Sequence, residues 1–113
     1  MGQTELIADA KQLYAELWVS LASLLRSYTA AHGLNGNRQA TVELGDERIL
    51  VRHGDDWLDL NRNGSEVHWQ RENGSTGSME FTEAGQLQWQ EGLEEMDMAA
   101  ERWARELMQE RKQ

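Results

Sequence analysis

The chain has 113 residues, room for one domain and not for two independent cores. It contains no cysteine, which removes disulfides, thiol chemistry and cysteine-held metal centres. Twenty acidic residues stand against 11 basic ones, for a net charge of −9, and the bases are interspersed with acids instead of clustered, so nucleic acid is not an expected partner.

A hydrophobic content of 39% is enough for a folded core. No apolar run approaches the roughly 18 residues of a membrane span, and the opening MGQTELIADA lacks the charge, apolar core and cleavage site of a secretory signal. A soluble cytoplasmic protein, one domain over residues 1–113, is the expectation.

Thr4 fits the N-cap of a long helix ending near His32, with Gly33 just past its C-terminus. Leu6, Ala10, Leu13, Leu17, Leu21, Leu24 and Tyr28 recur at helical spacing. Ile7, Tyr14, Trp18 and Leu25 run beside them and widen the apolar arc to about 140°. Leu34–Arg38 reads as a loop.

From Gln39 to Gln90 the hydrophobic period is two, with turn signals at Gly45-Asp46, Gly54-Asp55, Asn63-Gly64, Asn73–Gly77 and Glu83–Gly85. Letting each turn set its hairpin register yields two apolar rows across six strands. One is Val42, Ile49, Leu60, Val67, Phe81 and Leu87; the other is Ala40, Val51, Leu58, Trp69, Met79 and Trp89. The last helix reads from Leu93 to Lys112, with Leu93, Met96, Ala100, Trp103 and Leu107 as its apolar stripe and Glu101–Arg105 as an i,i+4 ion pair. The expected fold is therefore α+β: an N-terminal helix, a six-strand antiparallel meander and a C-terminal helix, both helices on one sheet face.

The same register predicts an outer row in which His68 lies between Asp59 and Glu80, at cross-strand distances of about 5 Å. Two carboxylates and an imidazole suit a divalent metal, although a solvated charge ladder explains the same residues. Arg52 faces Trp57, an expected cation–π pair and a candidate partner-binding spot. Asp59 to Gly64 matches the opening of a calcium loop, but Gln70 stands where the bidentate Glu belongs. The surplus apolar residues Ile7, Tyr14, Trp18 and Leu25 serve either helix packing or a partner surface, including a homodimer. No P-loop, dinucleotide fingerprint, nucleophile elbow or HExxH is present, so no catalytic residue and no cofactor is assigned.

The order of helix, antiparallel strands and helix resembles that of frataxins, acidic domains that bind iron and iron–sulfur assembly partners. The resemblance implies an acidic metal-binding role and spans nearly the whole chain as an order of elements. That family carries an acidic ridge on its first helix and first strand; here the first helix has just Glu5, Asp9 and Glu16 on its polar face, and Glu43 is the one acid of the first strand. The family's strand motif with Trp followed by Ser-Pro has no match in a chain without proline. The leading expectation is a non-enzymatic interaction or ligand-binding module; a metal-binding domain, and an enzyme with a pocket between sheet and helices, are the alternatives.

Overall fold

The computed structural model describes residues 2–33 and 39–109, with side chains from Ala10 onward. The chain runs α1 (Gly2–His32), β1 (Thr41–Leu44), β2 (Arg48–His53), β3 (Asp56–Asn63), β4 (Glu66–Arg71), β5 (Thr76–Phe81), β6 (Gln86–Trp89), β7 (Gly92–Glu95) and α2 (Met96–Met108). The strands form one antiparallel sheet in sequence order, and both helices share its buried face. The predicted order of elements holds, with β7 added where the last helix was expected to begin. Trp89 pairs with Gly92, so the chain folds back along β6 before α2 starts. Leu93 consequently lies on the outer face of β7, 57% exposed, and not in the helix stripe.

The first helix ends where the sequence predicts, and the Gly33 N–H donates to Thr29 O and Ala30 O. It starts earlier, so Thr4 lies inside it and not at its N-cap. The expected loop Leu34–Arg38 falls outside the described residues. In α2, Ala99, Ala100, Trp103, Ala104 and Leu107 are buried. The Glu101–Arg105 pair is present at 3.7 Å.

Every strand keeps its predicted inward face, but three of the five expected registers differ by two residues. β2 pairs with β3 as predicted, Ile49 opposite Leu60 and Val51 opposite Leu58, and Phe81 stands opposite Leu87. Elsewhere Val42 faces Val51, Leu60 faces Trp69, and Val67 faces Met79. The β3–β4 turn shows the cause. An Asn63-Gly64 turn of type I′ needs φ > 0 at both residues, and no non-glycine residue here has positive φ. The turn centres on Gly64-Ser65 instead, with Gly64 at φ 65° in first place and Asn63 paired to Glu66. Gly54, at φ 63°, opens the β2–β3 turn in the same way. At the β1–β2 turn the Gly45 N–H donates to Arg48 O, which leaves Asp46-Glu47 at the tip and Gly45 outside it. A shift of two residues returns each side chain to its own face, so the core survives all three.

The slip also pairs Arg62 with Val67 and Arg71 with Leu58 on the inner face, at opposite ends of the β3–β4 ladder. Arg71 is held by Asp56 at 3.0 Å and Glu106 at 3.1 Å. Arg62 donates to Gly64 O and Asp46 O and lies over the Trp18 ring at 5.6 Å. Trp18 is 1% exposed; its indole N–H donates to Gly45 O at 2.9 Å and its ring meets Phe81 edge-on. Leu17 lies near Gly85 in the β5–β6 turn. Helix α1 is thus docked at the end of the sheet that carries these turns. At about 1.5 Å per residue the segment from Gly2 to Trp18 is ~24 Å long. Tyr14 and Leu17 still pack against the core, so the part that extends past that end, along the molecule's 59 Å long axis, lies before Tyr14. Toward its other end α1 lies beside α2, where the Tyr28 hydroxyl donates to Asp97 at 2.8 Å and His32 lies 3.0 Å from Glu101.

Two outcomes test these contacts. Gly64→Ala is expected to cost about 1 kcal/mol in urea denaturation, because its positive φ strains any Cβ. Gly45→Ala, with ordinary backbone and a Cβ that would make only an ordinary contact with Arg48 O at 3.5 Å, is expected to stay within roughly 0.5 kcal/mol of the parent. The Asp97 hydrogen bond raises the pKa of the Tyr28 hydroxyl, with desolvation and the charges of Asp97 and Glu101 adding to it. That contribution is complete below the ordinary tyrosine value of about 10 and disappears as pH rises through the raised folded value. Tyr28→Phe is expected to remove this alkaline loss, read as stability against pH between about 9 and 12.

Candidate functional site

The two-residue slips dismantle the predicted metal row. His68 stands between Asn61 and Ser78, Asp59 faces Gln70, and Glu80 faces Glu66. Asp59 is instead clamped by Arg48, Nε to Oδ1 at 2.9 Å and Nη2 to Oδ2 at 3.0 Å, with the Asn61 amide donating at 3.3 Å. Hydrogen bonding to Asp59, and then its charge, raises the Arg48 pKa further. Glu80 accepts from the Ser65 hydroxyl at 3.2 Å. Among the described residues no group of three His, Asp or Glu can hold a metal ion. The calcium-loop segment is straight strand from Asp59 to Asn63, so its oxygens do not encircle a centre.

The row Asn61, His68, Ser78 has the residue types of an orienter, a base and a nucleophile. All three are exposed, and no hydrogen bond joins them among the described residues. Nothing in it activates the serine.

Arg52 and Trp57 face each other as predicted. The guanidinium–ring stacks lie elsewhere, with Arg62 over Trp18 and Arg102 over Trp89 and Trp103. On α1, Trp18 and Leu25 are buried in the core and Tyr14 packs against it, so these are packing residues and not a free partner face. The Ile7 side chain lies outside the described residues.

A different feature draws polar and aromatic groups together. The ladder between β5 and β6 pairs Glu80 with Gln88 and Phe81 with Leu87, and the Thr82 N–H donates to Gln86 O; it goes no further. Thr76 to Met79 and the chain beyond Trp89 therefore part, leaving a slot beside β5. Two adjoining cavities of about 520 Å³ each share Trp69, Trp89 and Glu91 in their walls. One reaches Glu94 and Arg102 on the helix side; the other reaches Glu66, Ser78, Glu80 and Gln88 on the outer side.

The walls are built by packing. Gly77 stands opposite Trp69, and a Cβ there would lie 2.7 Å from the indole. Trp103 on α2 meets Trp89 edge-on at 5.8 Å and Trp69 at 6.4 Å. Arg102 lies 5.5 Å from both the Trp89 and Trp103 ring centres, and Glu94 holds it at 3.0 Å. The indole nitrogens of Trp69 and Trp89 are buried without a hydrogen-bond partner. Such orphaned donors cost about 1–3 kcal/mol each and are rare without a reason. By contrast, in the cavity of about 490 Å³ under the end of α1 the side chains of Arg26 and Thr29 are engaged. Arg26 donates to Val42 O there, and Thr29 to Leu25 O and Arg26 O.

Sequence reasoning put Trp69 and Trp89 into a continuous core row. The available signal was Gly77, a missing side chain on the inner face, together with the Gln90–Gly92 turn that cuts β6 short.

Comparison with protein-family models, with curated proteins and with solved structures finds no match. The likeness to frataxins therefore remains one of element order, and the functional reading rests on the slot's geometry.

The unequal tryptophans are testable by substitution. Trp18→Phe gives up a hydrogen bond and leaves Gly45 O without its donor, whereas Trp89→Phe removes a donor that has no acceptor. Trp18→Phe is expected to destabilise by at least about 1 kcal/mol more than Trp89→Phe, measured by chemical denaturation.

Proposed function

We propose that this chain is a non-enzymatic binding module that takes a small molecule into the slot between β5 and β6. The observation that carries the reading is an open cavity walled by Trp69 and Trp89, two tryptophans whose indole N–H groups are buried out of reach of the cavity and without a partner. Each cavity's volume lies in the range of small-molecule sites, which are commonly aromatic-lined with a few convergent polar groups. Serine, carboxylate and amide groups at the rim offer hydrogen bonds, and no activated nucleophile accompanies them. That balance favours binding over catalysis.

A second reading is favoured by the projection of α1 beyond the sheet. Among the described residues, none of this helix before Trp18 is buried. The overhang supports a contact with a protein partner or a second copy. A constant monomer mass in sedimentation up to about 100 µM, well above a typical micromolar dimer Kd, would count against self-association.

The slot is tested by a thermal-shift screen of neutral, cationic and anionic small molecules on the parent and on Ser78→Trp. Ser78 is exposed on the outer rim, so a bulky residue obstructs the slot without entering the core. A ligand at ten times its Kd adds about 1.4 kcal/mol, a rise of roughly 5–10 °C for a domain this size. The expected result is a rise in the parent and little or none in Ser78→Trp. Equal rises in both, or no ligand at all, would sink the slot reading.

A further inference from the structure

We infer that the ligand of the slot is a neutral, hydroxyl-rich molecule of the saccharide type, and that Trp89 is the residue that donates a hydrogen bond to it. The inference rests on the binding reading above and narrows it to a chemical class.

Charge removes the first competitor. Glu66, Glu80 and Glu91 line the outer cavity, and the one guanidinium in the walls, Arg102, is already engaged by Glu94 at 3.0 Å. An anionic ligand would meet carboxylates with no free cation to offset them. Geometry weighs against the second, although the same carboxylates attract a cation. A cation would seek the aromatic faces, but Arg102 already lies 5.5 Å from the centres of Trp89 and Trp103. An organic ammonium would have to displace a charge that is bonded in place.

A hydroxyl group fits what remains, because it both donates and accepts. It can donate to a rim carboxylate and accept from an indole N–H in one contact. The apolar C–H face of a sugar ring also suits an indole wall. Two adjoining cavities of about 520 Å³ have space for more than one ring.

Trp89 and Trp69 differ in freedom to move. Trp69 sits in β4, paired on both sides, and abuts Gly77 so closely that a Cβ there would clash. Trp89 is the last residue of β6, next to the Gln90-Glu91 turn, where the ladder to β5 has already ended. Its N–H is sealed in the unliganded chain, so ligand entry requires the ring to shift. The acceptor brought by the ligand offsets the cost of that orphaned donor.

The five tryptophans give five indole N–H resonances in a nitrogen-15 spectrum, and Trp→Phe variants assign them. The probes are a panel of neutral trisaccharides (maltotriose, cellotriose, mannotriose and chitotriose), glucuronate as the anion and tetramethylammonium as the cation. At least one neutral trisaccharide is expected to move the Trp89 resonance saturably, with Trp18, bonded to Gly45 O, unmoved. Glucuronate is expected to bind at least about tenfold more weakly, and Trp89→Phe to weaken the trisaccharide about tenfold, the loss of one well-made hydrogen bond. An unchanged far-ultraviolet circular dichroism spectrum checks that this variant is folded. If tetramethylammonium or glucuronate moves Trp89 and no trisaccharide does, the slot is a binding site and the saccharide assignment is wrong. If a trisaccharide binds equally well to Trp89→Phe, the role of Trp89 is wrong. If no probe moves Trp69 or Trp89, the assignment is overturned, and the Ser78→Trp screen decides separately whether the slot binds anything.

Discussion

Trp18 is the joint on which the arrangement of helix and sheet depends. Its indole N–H reaches Gly45 O in the first turn, its ring meets Phe81 on β5, and Arg62 from β3 covers its face. One side chain on α1 therefore touches three separate parts of the meander at the same end of the sheet. An amphipathic helix on a flat apolar surface could slide along its own axis with little change in buried area. A part-buried hydrogen bond from a buried indole removes that freedom, since breaking it leaves the Trp18 N–H in the core without a partner. With α1 held there, its later turns come to lie beside α2, and its earlier turns project beyond the sheet.

The other tryptophans do a different job. Trp69, Trp89 and Trp103 are packed edge to face, with Arg102 and Glu94 as a charged lid. The β5–β6 ladder ends where the chain turns back from Trp89 to Gly92, and Gly77 yields its own side-chain space to Trp69. The slot lies where these two features meet. Trp18 has its hydrogen bond and fixes the fold; Trp69 and Trp89 lack theirs, and a native structure retains such groups most readily where something else supplies the partner.

The net charge of −9 bears on function only through where the acids lie. Asp59, Asp56 and Glu94 are taken up by Arg48, Arg71 and Arg102, so they neutralise the sheet internally. Glu66 and Glu91 are exposed at the slot's rim and have no such partner among the described ion pairs. Their field decides which ligands approach, and it turns anions away.

The sequence by itself determined the fold class, the order of elements, the face on which each strand residue lies and the end of α1 at His32 and Gly33. These features are local or periodic: a helical spacing, a period of two, a glycine after a helix. The period of two is indifferent to a shift of two residues, which is why Val42, Ile49, Leu60, Val67 and Phe81 were placed inward correctly in spite of three displaced registers. Tertiary structure decided everything that depends on which residue stands opposite which. The placing of positive φ on Gly64 and not on Asn63 moved His68 away from Asp59, and the separate slip between β4 and β5 moved it away from Glu80. The return of Gly92 to Trp89 made β7 out of residues whose apolar spacing reads as helix. The early end of the β5–β6 ladder left the slot beside Trp69 and Trp89, whose volume and N–H must be satisfied in three dimensions. A one-dimensional pattern records only that such a residue is apolar.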